Sequence, residues 1–295
     1  MKTRIQPGMR KTLEIIALIL TITFLIYGVN PKEDGKAYGF KAFAYTVTCS
    51  IQSITEGTNP QYQYASAPYE YYNTIAGGTF TVNVVASTND PNGISSVSFP
   101  STVSTGGSDT SYPYSWTYTW TTSSTYSSSA TITCYSYWGS TGTTTLYVYR
   151  DITAPTTTAT AVNSTGASYT FNTWTKSPYV NVTLTCNDAS GSGCSLTQYC
   201  TDTTNTCTPT TTYTTPVQIN TEGISYIRYN STDNAGNTET TQSRTIKIDT
   251  TPPATTATAV NSTGASYTFN TWTKSPYVNV TLTCNDASGS GCSLT

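Results

Sequence analysis

Chemistry in this chain has to come from a short menu of side chains. None of its 295 residues is histidine, which removes the usual general base of a serine or cysteine hydrolase and the commonest transition-metal ligand. No glycine-rich phosphate loop, nucleophile elbow or metal-protease motif stands in its place, so the chain is not expected to be an enzyme. Only 9% of residues are charged and the formal net charge is −2, which leaves no basic stripe for nucleic acid. Eight cysteines remain, Cys49, Cys134, Cys186, Cys194, Cys200, Cys207, Cys284 and Cys292. An even count suits disulfides in an oxidising compartment. A cysteine-only zinc site is the competing reading, but the spacings lack a tight Cys-x2-Cys knuckle.

Carboxylates are the other candidate ligands. Asp151, Asp233 and Asp249 stand at apparent domain edges, and Asp188, like Asp90 and Asp286, follows an alternating strand. Oxygens gathered at a junction suit Ca2+, the one cofactor these residues point to; the competing reading is that each aspartate caps its own turn. Tyr112, Tyr114, Trp116, Tyr118 and Trp120 fall at every second position, so on a strand all five share a face. Two readings stand for them. They form an aromatic core, or an exposed stripe on which sugar rings stack, extended by Tyr62, Tyr64, Tyr69, Tyr71 and Tyr72. Five large rings load a sandwich core about 10 Å thick heavily, which keeps the second reading open. Asn163, Asn181, Asn230, Asn261 and Asn279 begin glycosylation sequons, and Asn181 and Asn279 sit on an outward strand phase.

The element that must position these groups is a repeat. Residues Thr157 to Thr197 recur letter for letter as Thr255 to Thr295, an offset of 98 residues, which marks a domain-sized unit and suggests a longer array. Within it Val180, Val182, Leu184 and Cys186 alternate with Tyr179, Asn181, Thr183 and Thr185, the period of a half-buried strand. Further strands are expected near Ser195 to Tyr199, Pro216 to Ile219, Ile224 to Ser231 and Thr241 to Ile248, with Trp174 as a core anchor. Residues 79–93 and 130–138 parallel the repeat, so a diverged copy precedes it. Cys49 and Cys134 both fall on core-facing phases, which predicts a bridge between sheets. Local pairs Cys186–Cys194 and Cys200–Cys207 are predicted as well, each worth roughly 2 to 3 kcal/mol in the chain-entropy model; four cysteines allow three pairings, and spacing does not choose.

Ahead of these units, Lys2, Arg4, Arg10 and Lys11 precede an apolar run from Ile15 to Val29. As a helix that run spans about 22 Å, short of a ~30 Å hydrocarbon core and long for a signal-peptide core. Signal peptide and retained signal anchor both remain open, and in either case everything beyond about residue 30 is expected outside the cytoplasm. The predicted organisation is a basic stub and hydrophobic leader over 1–29, a linker over 30–40, a diverged domain over 41–150, a full repeat over 151–248 and a truncated one over 249–295.

The stretch Glu222-Gly-Ile-Ser-Tyr-Ile-Arg-Tyr-Asn-Ser-Thr-Asp-Asn-Ala-Gly-Asn237 resembles the penultimate strand and turn of Ig-like repeats in prokaryotic cell-surface proteins, archaeal or bacterial. Asp151-Ile-Thr-Ala-Pro155 and Asp249-Thr-Thr-Pro-Pro253 resemble the linkers between such repeats. The resemblance implies an all-β chain of tandem immunoglobulin-like β-sandwiches after an N-terminal hydrophobic helix. It also implies an extracellular, membrane-anchored or secreted role as an adhesive or surface-layer stalk; the N-terminal segment adds the membrane as a partner, and the Thr-rich, weakly charged composition suits contact with polysaccharide or other surface proteins. The alternatives are a carbohydrate-binding module using the aromatic stripe and a spacer within a larger secreted enzyme.

Overall fold

The computed structural model describes residues 45–287 and 289–293; the expected N-terminal helix, its leader and the linker lie outside the described residues. Among those described, no helix is long and apolar enough to cross a membrane, and a 3-10 turn at Pro60–Tyr62 interrupts an otherwise all-strand chain. Its strands are β1 (Val47–Glu56), β2 (Gln63–Ser66), β3 (Tyr69–Tyr72), β4 (Gly78–Thr88), β5 (Ile94–Phe99), β6 (Gly107–Asp109) and β7 (Tyr114–Trp120). Next come β8 (Ser128–Ser136), β9 (Thr141–Arg150), β10 (Thr156–Asn163), β11 (Trp174–Thr175), β12 (Val180–Asn187) and β13 (Cys194–Asp202). The last are β14 (Thr211–Thr212), β15 (Val217–Ile219), β16 (Gly223–Asp233), β17 (Gln242–Ile248), β18 (Ala254–Asn261) and β19 (Val278–Asn285).

Residues 47–150 form a three-stranded sheet, β1-β4-β7, and a six-stranded sheet, β2-β3-β9-β8-β5-β6. The full repeat forms two more, β10-β12-β15 and β11-β17-β16-β13-β14. Alternation explains the second pair. Val180, Val182 and Leu184 of β12, Val217 and Ile219 of β15, Ile227 and Tyr229 of β16 and Ile246 and Ile248 of β17 point into one buried cluster between the sheets, while the residues between them are half-buried or exposed. Trp174 is not the expected anchor: it lies half-buried on β11, with the Lys247 ammonium 5.9 Å over its ring. Tyr169 takes a core place instead, its hydroxyl accepting from Lys247 N at 3.0 Å and donating to Thr173 O at 2.6 Å.

Compactness divides the described chain into two units, one of residues 45–55, 81–118 and 129–147, the other of 56–80, 119–128 and 148 onward. Within the first, Cys49 of β1 is bonded to Cys134 of β8, joining the two sheets as their strand phases predicted. In the second, Cys186–Cys194 ties β12 to β13 across the sheets, and Cys200–Cys207 closes a loop at the end of β13. Cys284–Cys292 repeats the first of these pairs in the third copy. The described cysteines are all oxidised, which places this chain in an oxidising, extracellular or secretory setting.

The third copy holds only the β18–β19 ladder, in the register of β10–β12. Val280 and Leu282, whose equivalents Val182 and Leu184 are buried, are more than half exposed. Strands that cover the second copy have no counterpart among the described residues.

Glu70 breaks the pattern of the sheet it sits in. It is 0% exposed on β3, and neither carboxylate oxygen has a hydrogen-bond partner. Burial first, and then the charge of Glu56, push it up to about 9, so the folded protein holds a proton there at neutral pH. A raised carboxyl stabilises the fold fully below its unfolded pKa of about 4.5 and progressively less as pH climbs toward 9. Glu70→Gln should therefore be more stable by up to about 3 kcal/mol at pH 7, and urea titrations between pH 5 and 9 should show a flatter pH dependence than the parent. An identical slope in both proteins would show that Glu70 ionises freely.

Candidate functional site

Three of the six aspartates named above converge. Asp151 enters from the end of β9, Asp188 from the turn after β12 and Asp233 from the end of β16, and each offers a carboxylate oxygen within 4.8 Å of the others. Strand phase explains Asp233: the inward positions of β16 run from Ile227 and Tyr229 through Ser231 to Asp233, so the acid is the polar end of a core row. Asp151 and Asp233 are buried, Asp188 half-buried. Gly191 makes the convergence possible. A Cβ there would meet Asp188 Oδ2 at 2.5 Å and Asp151 Oδ2 at 2.8 Å, so only a residue without a side chain leaves both carboxylates in place.

Capping and clustering coexist in this arrangement. Asp151 Oδ2 accepts from Ser192 N at 2.7 Å, Asp188 Oδ2 from Gly193 N at 2.7 Å, and Asp233 Oδ1 from Asn237 N at 2.8 Å. Three acids this close still repel. Burial, and then Asp151 and Asp233, push the Asp188 carboxyl up; burial likewise raises Asp233, while the Asn237 hydrogen bonds and then the nearby Asp151 act in opposite directions on it. The spacing of these oxygens is one that could hold a hard divalent cation such as Ca2+.

Asp249 does not join this group. It stands 98 residues after Asp151 and repeats the same local geometry in the third copy, accepting from Ser290 N at 2.8 Å and Ser290 Oγ at 2.6 Å, bonds that lower its pKa. Gly289 there mirrors Gly191, with a virtual Cβ 2.8 Å from Asp286 Oδ2 and 2.9 Å from Asp249 Oδ1. Asp90, in the matching turn of the first domain, forms no such acidic group among the described residues: it accepts from Asn92 N and Trp138 N, both at 2.9 Å, and Ser136 takes the place of Asp233.

Two asparagines complete the junction, and the strand-by-strand reading of the sequence did not find them. Asn237 Nδ2 donates to Asp233 Oδ2 at 2.7 Å and Asp151 O at 3.2 Å. Asn73, fully buried after β3, donates through Nδ2 to Asn237 Oδ1 at 2.6 Å and Ala235 O at 3.2 Å. The Asn-Ala-Gly-Asn run was visible as a turn, but nothing near Asn73 in sequence marks it as its partner.

The aromatic stripe is core, not platform. Tyr114, Tyr118 and Trp120 are buried and Trp116 is half-buried; of the five, Tyr112 alone is well exposed. The thin core accommodates them because glycines lie against the rings: a Cβ on Gly107 would fall 2.1 Å from Trp116, and one on Gly78 would fall 2.2 Å from Trp120. Polar tips are satisfied, Tyr118 Oη on Pro100 O at 2.8 Å and Trp120 Nε1 on Ala76 O at 3.0 Å. In the second cluster Tyr72 is buried, while Tyr64, Tyr69 and Tyr71 form a ring group with 6.4 and 6.5 Å spacings. Among the sequons, Asn181 and Asn230 are half-buried on strands and Asn279 is exposed. Asn163 turns its Oδ1 to Thr165 N, Thr165 Oγ1 and Ala167 N, and Asn261 repeats this with Thr263 and Ala265.

No family model and no curated protein matches this chain. Among solved structures it is similar to the fibronectin(III)-like modules of Clostridium thermocellum CbhA, at 15% identity over 66% of this chain and 94% of that one, with a TM-score of 0.29. So slight a likeness carries no argument about this chain.

Asn73→Ala tests the junction directly. It leaves Asn237 Oδ1 and Ala235 O without their buried donor, a change that costs about 2 to 4 kcal/mol. Hydrogen exchange should rise at residues 233–238, with little change in β4–β8; protection unaltered at 233–238 would count against the network.

Proposed function

We propose that this chain is part of an extracellular structural and adhesive stalk of the cell-surface type, made of tandem Ig-like sandwiches that hold outer parts away from the envelope. The observation that carries this reading is the exact recurrence of a 41-residue stretch, Thr157–Thr197, 98 residues further on, with its cysteine pair and the turn aspartate Asp188 included. Repetition of that kind serves length. It adds the same unit again and no new chemistry.

The mechanism is mechanical. Each repeat begins with an aspartate and a proline-containing linker, Ala154-Pro155 or Pro252-Pro253, which limits bending. Ca2+ held by Asp151, Asp188 and Asp233 would neutralise their mutual repulsion and fasten linker, turn and strand end to one another. Attachment comes from the leader over 1–29, and contacts to polysaccharide or to neighbouring surface proteins come from the Thr-rich, weakly charged exterior. An aromatic sugar platform on β7 has lost its basis, because the stripe faces inward.

Pulling the full chain at its ends tests the mechanical claim. With Cys49–Cys134 intact, the separation of 85 residues is shielded from force; reduction should add roughly 290 Å to the first domain's extension at about 3.4 Å per residue. Equal lengths with and without reductant, or recovery of the chain from the cytoplasm with free thiols, would sink the stalk reading. For the cation, Ca2+ at a hundredfold excess over Kd should stabilise the chain by about 2.7 kcal/mol. Asp188→Asn should remove that gain, and a midpoint unmoved by Ca2+ or chelator would eliminate the metal.

A further inference from the structure

One hairpin turn occurs in both domains with opposite surroundings. After β16 it reads Asn234-Ala235-Gly236-Asn237 and is packed away: Ala235 and Asn237 are buried, and Gly236, at φ +83°, lies so near the Gln61 carbonyl that a Cβ would meet its oxygen at 2.4 Å. After β8 it reads Tyr137-Trp138-Gly139-Ser140, with the same backbone. Tyr137 N donates to Gly93 O at 3.3 Å as Asn234 N does to Gly193 O at 2.8 Å. Ser136 N donates to Ser140 O at 2.9 Å as Asp233 N does to Asn237 O at 3.0 Å. Yet no described residue lies within 4 Å of a Cβ on Gly139, and Tyr137 and Trp138 are 66% and 47% exposed.

The location of this turn is fixed by hydrogen bonds. Trp138 N donates to Asp90 Oδ2, and next to Asp90, Asn89 Oδ1 accepts from Thr46 N at 2.8 Å. The turn therefore sits where the chain enters from residues 1–44. Tyr114 Oη reaches Ile94 O at 3.5 Å, beside Gly93, and the Tyr112 ring, 75% exposed, lies 6.0 Å from that of Tyr114. Tyr137, Trp138 and Asn92 line an open cleft of about 400 Å³ there.

Composition decides what such a tip meets. The buried turn docks through Asn237 and the carbonyl of small Ala235; at the exposed one, Ser140 and Trp138 stand in those places, so the side chains that make the polar junction are gone. What remains is amphipathic rings with polar tips, the residue type favoured where lipid headgroups meet water. Residues 30–44 separate the apolar run ending at Val29 from Tyr45, and fully extended they reach about 50 Å, so a bilayer holding that run is within the tip's reach.

We propose that Tyr112, Tyr137 and Trp138 form a membrane-facing tip that seats in the headgroup layer of the bilayer from which the chain emerges. This rests on reading the leader as a retained anchor. The full chain reconstituted in phosphatidylcholine vesicles, with and without brominated acyl chains, tests both parts. The expected result is that the chain floats with the vesicles and that bromine quenches its tryptophan emission. Trp138→Phe should then lower that quenching at least twofold, while Trp272→Phe, at a fully exposed site in the third copy, leaves it unchanged. Flotation with quenching untouched by Trp138→Phe overturns the tip and leaves the anchor standing. If Trp138 in the floated chain is instead quenched by aqueous iodide, the tip serves a soluble partner and the membrane proposal is wrong. A chain that does not float ends the anchor reading and this one together. Unchanged thermal unfolding of Trp138→Phe shows that the variant is folded.

Discussion

Covalent and polar links between facing sheets fasten together what the apolar core between them already holds. The chain is crowded with Thr, Ser and Tyr, so its strands are polar on their outward faces, and the links between sheets add to the buried apolar cluster that already joins them. Cys49–Cys134 and Cys186–Cys194 each join one sheet to the other. Between β10 and β16 the same task falls to a hydroxyl pair, Thr157 Oγ1 and Ser231 Oγ at 2.6 Å, completed by Thr197 Oγ1 at 2.7 Å and by Glu239, which accepts from Ser231 N at 2.9 Å. By the chain-entropy model a bridge closing some 85 residues is worth about 4 to 5 kcal/mol and a short one about 2 to 3, large against the margin of a small domain.

Polar burial is concentrated at the junction in the same spirit. Asp151, Asp233, Asn237 and Asn73 are buried together, a placement that is costly unless each group finds a partner. Most do: main-chain N–H groups serve the acids, and the two asparagines connect them to each other. What the protein side leaves unbalanced is charge, three carboxylates whose oxygens lie within 4.8 Å of one another, packed against a glycine. Structure and electrostatics meet at that point, and it is where a cation would act.

Aromatic residues have two fates, and position relative to glycine separates them. On β7 the rings go inside because Gly78 and Gly107 yield space that no other residue would. At the turn after β8 the rings of Tyr137 and Trp138 stay exposed among the described residues. Alternation alone put Tyr114, Trp116, Tyr118 and Trp120 on one face but did not say which face was dry, since the glycines that settle it lie 7 or more positions away in the chain. Asp233 was legible as a domain-edge aspartate but not as the inward end of β16, and Cys49–Cys134 was legible from strand phase, whereas the local pairs were expected without spacing choosing among three pairings. Asn73 was not legible, because its partners are more than 160 residues away.

The two identical copies separate what a sequence determines from what only tertiary structure decides. Each copy makes the same antiparallel ladder in the same register, β10 with β12 and β18 with β19, and each folds its Asn-Ser-Thr turn around the same asparagine oxygen. Those are short-range bonds, and the same letters bring the same donors to the same acceptors. Burial differs. Val182 is sealed and Val280 is more than half exposed, although their neighbours in sequence are identical, because removal from water depends on strands contributed from elsewhere in the chain.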